Sequence, residues 1–434
     1  MRKSNYTVLL VHGEAVIVYI TLWNTSMIIH KNDVATWGLT SEMAFEAIQE
    51  PLKKILVDKK FFIEDDVDEL KLIEMQLQTI NCNKDYFELT IIPTLACNFR
   101  CWYCYEDHNT TEHMSEADCR NIISFLHKKV AEGDGLKTIK FQFFGGEPLI
   151  CYNNVVKPLL EMYLEDGKLS AVPLVVGITT NGYLLTPEVA SFLSQFINGG
   201  IQITLDGNKD RHNSVRFSTL GVDTYSVIVR NIKSCLKHGL NVCLRLNISE
   251  ETDLNGKELL ADFSDLNDTE RELLIFSVHK VWQANDLVHE IIERIIAEIR
   301  AGGFRAASYY SEPSSIWSTC YADKKNHLVI NPQGRIYKCT ARNFSASQVE
   351  GILGDGGNVE WTPLHAKRES CSPLKNKACT SCPILPICVG GCSQKQLEHG
   401  NKNECMLAEN EESKLEYALQ VYKEKINILN NVVN

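Results

Sequence analysis

The sequence has no stretch of about 18 consecutive apolar residues, the length a membrane-spanning helix needs. Its N-terminus, MRKSNYTVLLVHGEAVIVYI, starts basic, but His12 and Glu14 interrupt the apolar run and no small-residue cleavage site follows. It reads as two strands and not as a signal peptide. Positive charge is also scarce: 44 Lys and Arg against 55 Asp and Glu leave a formal net charge of -11. That balance argues against a general nucleic-acid or anionic-membrane binder, whose affinity rests on clustered basic residues. Low-complexity tracts and solenoid repeats are missing too. The expectation is a folded cytosolic chain with no nucleic-acid and no membrane partner.

What is present fits that frame. Of 434 residues, 44% are hydrophobic and 23% charged, enough apolar surface to offset the conformational entropy of folding. The length suggests two or three domains, and three are expected. Sixteen cysteines stand out. A reducing cytosol does not favour structural disulfides, so they point to metal or redox chemistry.

Residues 1–85 read as a small α+β unit. Strands are expected at YTVLL, EAVIVYI and SMIIH, and helices at SEMAFEAIQ and PLKKILVD, with Pro51 in a first helical position. A strand at FFI and a helix in DDVDELKLIEMQLQ close it. From Phe87 short β-rich runs alternate with amphipathic helical runs: FELTIIPT, TIKFQFF, LVVGITT, IQITL, VCLRLNI and LLIFSVHKVW, each followed by a helix. Ser115 with Asp118 makes a capping box for the first helix, and Thr186 before Pro187 caps the third. Six βα units imply an α/β fold with a parallel sheet, a partial (β/α)6 TIM-type barrel over residues 86–305. After residue 305 a cysteine-dense, Gly- and Pro-punctuated segment runs to Cys405, and a long polar helix follows. Residues 306–434 form the third domain.

CNFRCWYC places Cys97, Cys101 and Cys104 on the loop leaving the first barrel strand, at the strand's C-terminal end, where parallel α/β barrels build active sites. Three thiolates can hold three irons of a four-iron, four-sulfur cubane and leave the fourth open to a small ligand. The alternatives are buried thiols or a zinc site completed by His108 or His113. GGEP (Gly145, Gly146, Glu147, Pro148) follows the second strand; alone it could be a turn. TTNG (179–182) and TLDG (204–207) end the third and fourth. Asn181, Asp206 and Asn247 are strand-end polar residues that either line the cavity or cap turns. Cys82, Cys119, Cys151, Cys235 and Cys243 lie in or beside expected helices or strands and read as ordinary buried side chains.

The Cys-x3-Cys-x2-Cys spacing, with aromatic Tyr103 before the last cysteine, resembles the radical S-adenosylmethionine (SAM) enzymes. The resemblance implies that Cys97, Cys101 and Cys104 hold the SAM-binding cluster. It further implies that Gly145, Gly146 and Glu147 meet the methionine amine, that Arg216 pairs with the SAM carboxylate, and that Tyr103 belongs to the cofactor site. Glycines permit close approach and a carboxylate complements an ammonium.

The later cysteines are Cys320, then Cys339 after an intervening Gly334, then Cys379, Cys382, Cys388 and Cys392 in CTSCPILPICVGGC, then Cys405. Their order resembles the SPASM domain, the auxiliary-cluster extension of many peptide-modifying radical enzymes. The resemblance assigns Cys379, Cys382, Cys388 and Cys405 to one auxiliary cluster and Cys320, Cys339 and Cys392 to another. Some relatives carry a further ligand shortly before the position of Cys320, and this chain has none. Either Cys371 completes that cluster or one iron stays open. Three 4Fe-4S clusters and SAM are the cofactors implied.

Residues 1–85 resemble the winged-helix-like RiPP recognition element, which adds the leader of a ribosomally synthesised precursor peptide to its sheet as an extra strand. The expected function is a radical SAM/SPASM peptide maturase that abstracts hydrogen with a 5'-deoxyadenosyl radical and forms a cross-link such as a thioether. Its expected partners are a precursor peptide with its leader and an electron donor such as flavodoxin or ferredoxin. Two alternatives stand beside it: an anaerobic sulfatase-maturating, formylglycine-forming enzyme, and a non-catalytic cysteine-rich metal-binding protein.

Overall fold

The computed structural model describes residues 1–32, 45–108, 110–132, 135–218, 221–252, 254–285, 288–308, 319–400, 403–408 and 410–433. The chain divides into two compact units, neither of which is a single run of sequence. One comprises residues 1–83, 312–325 and 366–434; the other comprises 84–311 and 326–365.

In the first unit β1 (Arg2–Lys3) pairs antiparallel with β5 (Phe62–Ile63). β2 (Thr7–His12), β3 (Ala15–Ile20) and β4 (Thr25–His30) form an antiparallel sheet in that order. The apolar run of β3 has no polar alternation because both its faces are covered. Ile17 and Tyr19 pack, with Val8 and Leu10, on Ile384, Ile387, Ala418, Val421 and Tyr422. Val16, Val18 and Ile20 pack on Ile29, Leu56, Phe61 and Phe62. Each such side chain, fully buried, contributes about 1.5–3 kcal/mol. The N-terminal segment and the C-terminal cysteine segment therefore share one core, where the sequence suggested two domains.

The helix Leu52–Asp58 starts one residue later than expected, with Pro51 as its N-cap. Asp68 caps Glu69–Asn81 through the Lys71 amide. The helix expected at SEMAFEAIQ begins in residues outside those described; a single 3-10 turn, Phe45–Ala47, is seen there.

The second unit carries the barrel-type sheet. Its strands are β6 (Tyr86–Ile91), β7 (Phe99–Cys101), β8 (Thr138–Phe143), β9 (Leu174–Thr180), β10 (Ile197–Thr204), β11 (Arg216–Ser218), β12 (Val242–Ile248), β13 (Leu274–Lys280), β14 (Arg305–Ser308), β15 (His327–Ile330), β16 (Arg335–Tyr337), β17 (Gly351–Leu353) and β18 (Val359–Trp361). The large sheet runs β14-β13-β12-β10-β9-β8-β6-β15-β16-β17-β18. Pairing is parallel from β14 through β6 to β15, then antiparallel to β18. The six expected parallel strands are present in chain order. Neighbours that follow one another with a constant crossover hand put their helices on one face of the sheet. The other face is left to line a cavity.

Two features escaped the periodicity. β14 is only four residues, RAAS, too short to carry a pattern. β15 extends the parallel set on the far side of β6, and β16 to β18 continue it, so residues 326–365 belong with the barrel sheet. The capping box of Ser115 with Asp118, and the Thr186 cap before Pro187, form as expected. No helix among the described residues is long and apolar enough to cross a membrane.

Candidate functional site

The loop after β6 folds back so that β7 pairs antiparallel with β11, setting Arg216 opposite Cys101 and Phe217 opposite Arg100. This short ladder brings a cation more than a hundred residues away beside the three-cysteine loop. A cavity of about 240 Å³ opens at the C-terminal end of the parallel strands, and Cys97, Cys101, Cys104, Tyr103 and Arg216 all line it. Gly145, Gly146, Thr180 and Asn181 reach it from the ends of β8 and β9, and Arg245 and Asn247 from β12.

The glycines serve the loop directly. A Cβ on Gly146 would lie 2.3 Å from the Ala96 carbonyl oxygen and 2.4 Å from that of Leu95. Gly145 has φ of +113° and the same crowding against Ile92 and Thr94. The close approach allows the Gly146 amide to donate to Thr94 (3.2 Å) and the Glu147 amide to Ala96 (2.9 Å). Glu147 itself is fully buried. Its carboxylate accepts from the Leu149 amide (3.0 Å), the Thr180 hydroxyl (2.8 Å) and the Asn181 amide (2.7 Å). Burial pushes its pKa up, and these three bonds oppose the rise. The carboxylate thus ties the end of β9 to the turn after β8, and it is Gly145 and Gly146 that line the cavity. Asn181 Nδ2 in turn donates to Asn98 Oδ1 at 2.7 Å.

Tyr103 is the hub of a buried polar network. Its hydroxyl donates to Asp206, and it accepts from Arg216 (2.5 Å) and from Asn247 Nδ2 (3.2 Å). Asp206 also accepts from the Asn247 amide and stands 3.7 Å from the Arg216 guanidinium. Burial pushes Asp206 up, opposed first by Arg216. Arg216 stays cationic, raised well above its ordinary value by Tyr103, Cys101 and Asp206 against the pull of burial. Its Nε is buried with no partner among the described residues. A donor left in this position, on a cavity wall, suits a carboxylate ligand.

Burial pushes the Cys97 thiol up to about 12 and raises Cys101 and Cys104 as well. Thiols held protonated are poor nucleophiles. A thiophilic cation would ionise them, so the donor set fits an iron–sulfur cluster. His108 Nε2 lies 3.2 Å from Cys104 Sγ, with Nδ1 on the Leu95 carbonyl (2.8 Å). Yet no three His, Cys, Asp or Glu side chains among the described residues converge on a single ion. A cubane is larger than an ion and holds its thiolates further apart.

In the first unit, Cys379, Cys382, Cys388 and Cys405 lie near enough to act on one another. Burial, with smaller contributions from Cys379, Cys405 and Cys382, pushes the Cys388 thiol up to about 12. Cys379 is pushed up to about 11 by burial and then by Cys405 and Cys382. Cys320, Cys371 and Cys392 belong to the same unit and Cys339 to the other. Cys371 Sγ donates to the Lys367 carbonyl at 3.3 Å. Cys119, Cys151 and Cys235 are buried as expected and Cys243 is half-buried, whereas Cys82 is exposed at the C-cap of its helix.

Sequence reasoning passed over Arg245, Glu106, Tyr105 and Trp282, all of which line the cavity. Arg245 did leave a signal, a cation in the middle of the otherwise apolar VCLRLNI. Burial pushes Glu106 up to about 7, and its Oε2 has no partner among the described residues. Tyr105 and Trp282 stack with ring centroids 6.0 Å apart, and the Tyr105 hydroxyl donates to the Thr340 carbonyl.

Residues 91–261 match the radical SAM superfamily. The radical SAM cyclopropyl synthase TigE of Paramaledivibacter caminithermalis is 20% identical over 73% of this chain and 70% of its own. A serine-type anaerobic sulfatase-maturating enzyme of Klebsiella aerogenes is 27% identical over 71% of this chain and 80% of its own. Among solved structures, Streptococcus suis SuiB bound to its precursor peptide SuiA has a similar fold, with a TM-score of 0.53. It is 15% identical and covers 94% of this chain and 99% of its own.

Proposed function

With residues 91–261 forming a radical SAM domain and the chain thereby an enzyme, we propose that it modifies a ribosomally made precursor peptide. The observation that carries this reading is the β7–β11 pairing, which gathers Cys97, Cys101, Cys104 and Arg216 around one cavity. When bound, the cluster and SAM supply a 5'-deoxyadenosyl radical able to take hydrogen from carbon. The chain's own residues hold and shield. Cys97, Cys101 and Cys104 would ligate the cluster, and the Arg216 guanidinium would take the SAM carboxylate, held in place by Asp206 and Tyr103. Tyr103, Gly145 and Gly146 line the rest of the cofactor space, and Glu147 braces it from behind.

Cys379, Cys382, Cys388 and Cys405 would hold a second cubane, which their mutual proximity supports. Cys320, Cys339 and Cys392 remain assigned to a third by resemblance of spacing. The auxiliary clusters would carry electrons away as a cross-link such as a thioether forms, and a flavodoxin or ferredoxin would supply the first electron. Peptide recognition is supported by the β2–β3–β4 sheet, in which β2 and β4 are edge strands among the described residues. Val11 and Ile28 are exposed there, on an edge able to accept an extended leader. Similarity to the Klebsiella enzyme favours formylglycine formation as a second reading, which leaves the N-terminal sheet without a task.

The test is anaerobic purification, with iron and sulfide counted per chain, followed by co-expression with small open reading frames neighbouring the gene. Iron, SAM cleavage and a mass change in one encoded peptide support the proposal. Zinc in place of iron, even after reconstitution, overturns it.

A further inference from the structure

In β12 the side chains alternate: Val242, Leu244, Leu246 and Ile248 are buried, and Cys243, Arg245 and Asn247 are half-buried between them. Arg245 and Asn247 line the cavity. At about 3.3 Å per residue, Arg245 lies ~6.6 Å further down the strand than Asn247, away from the strand's C-terminal end. Asn247 touches Tyr103. The Arg245 backbone therefore sits one layer below the Tyr103, Asp206 and Arg216 network, and its side chain rises to meet Asn247 beside that network.

Its guanidinium is short of a counter-ion. Nε donates to the neutral Asn247 Oδ1 at 2.8 Å. Among the described residues no carboxylate stands at ion-pair distance from Arg245. The groups that raise its pKa are Tyr103, Asp206, Tyr105 and Cys243, and the one carboxylate among them, Asp206, already faces Arg216 at 3.7 Å. Burial lowers the Arg245 pKa more than these groups restore it. A half-buried cation on the cavity wall with an open N–H fork suits a carboxylate held by two parallel bonds. SAM brings a single carboxylate, and Arg216 takes that one in the reading above. Arg245 calls for a second.

We propose that Arg245 forms a subsite for a carboxylate of the peptide substrate, either an acidic side chain or the peptide's C-terminus. Resting on the peptide reading above, it adds a requirement about substrate sequence. A carboxylate anchored on Arg245 fixes how far the peptide descends, and so which carbon is presented to the cysteine loop. The stacked Tyr105 and Trp282 on the same cavity offer an apolar surface to the flanking residues.

The experiment titrates the reconstituted full chain, with SAM present, against three synthetic probes, with binding read by saturation-transfer NMR. The probes are acetyl-Ala-Glu-Ala-amide, acetyl-Ala-Gln-Ala-amide, and acetyl-Ala-Gln-Ala with a free C-terminus. One or both acidic probes are expected to bind about tenfold more tightly than the neutral one, as a charged hydrogen-bonded pair allows. Which acid gains identifies the source of the carboxylate. Arg245→Met removes the preference, and Arg245→Lys restores part of it as a point charge without the fork. SAM affinity, measured by dialysis of labelled SAM, stays within error of the wild type. Equal binding of all three probes by the wild type overturns the proposal without needing any variant. So does loss of SAM affinity in Arg245→Met with the acid preference intact, which would give Arg245 to the SAM carboxylate. If the acid preference holds while no precursor peptide is modified, the subsite stands and the peptide-maturase reading falls.

Discussion

Replacing Gly146 by alanine separates two accounts of the GGEP turn. A Cβ there would lie 2.3, 2.4 and 2.7 Å from backbone atoms of Ala96 and Leu95, where ordinary contact begins at 3.4 Å. No rotamer relieves a clash with backbone, so the loop leading to Cys97 must retreat by about 1 Å. Overpacking of this kind costs about 1–3 kcal/mol. Loss of the Gly146-to-Thr94 and Glu147-to-Ala96 bonds adds ~0.5–1.5 kcal/mol each. The total, about 2–6 kcal/mol, is a large share of the ~5–15 kcal/mol that holds a typical domain. The loop should yield before the sheet does. Gly167→Ala is the control, since a Cβ there meets nothing within 4 Å. We expect Gly146→Ala to lose about four irons per chain, one cubane, with SAM affinity falling in step. Gly167→Ala should match the wild type. Full iron with SAM affinity alone lost would refute the loop argument and assign the glycine to the approach of SAM. Full iron with full affinity would deny the contact any role.

Cys97→Ala, or alanine at all of Cys97, Cys101 and Cys104, should abolish 5'-deoxyadenosine production. It should also lower iron from about twelve to about eight per chain; retained SAM cleavage would contradict the cluster assignment. Ile28→Asp, on the exposed face of β4, should weaken precursor-peptide binding while leaving peptide-free SAM turnover intact. Unchanged peptide affinity would remove β4 from leader recognition. Such a point change is preferable to deleting residues 1–85, which would strip the core from Ile384, Ile387 and Tyr422. His279 is held neutral, its pKa lowered to about 3 by burial and then by Arg245. Below about pH 6.5 the unfolded chain binds a proton that the folded chain does not, so this contribution is full above pH 6.5 and is lost as pH falls toward 3. His279→Gln should flatten the fall in stability between pH 7.5 and 5.5, by at most about 1.4 kcal/mol, in denaturant unfolding; an unchanged slope would show that His279 titrates normally.

Much of the site was legible because its signals are local. The capping box at Ser115, the Thr186 cap, and the run of short apolar strands with helices between them, depend on neighbours in sequence. The cysteine spacings marked both thiol groups for the same reason. Arg216 could be named only through a resemblance, since nothing in DRHNSVR announces that β11 will pair with β7. Arg245 was visible as a misplaced charge in a strand, but its role depends on which face the helices cover. Glu106 offered no signal at all: a glutamate in a polar loop looks solvated until the fold buries it.

The sequence alone determined the strand period, the helix starts, the parallel sheet and the thiol-rich character of the loop after β6 and of the C-terminal segment, because each follows from side-chain pattern over a few residues. The tertiary structure decided the rest. It joined residues 1–83 to the C-terminal cysteine segment, added residues 326–365 to the barrel sheet, and set Gly146 against Ala96 and Arg216 against Cys101. Those choices turn on which apolar faces and backbone edges satisfy one another across long separations. A linear pattern lists the faces in need of partners without stating the pairs.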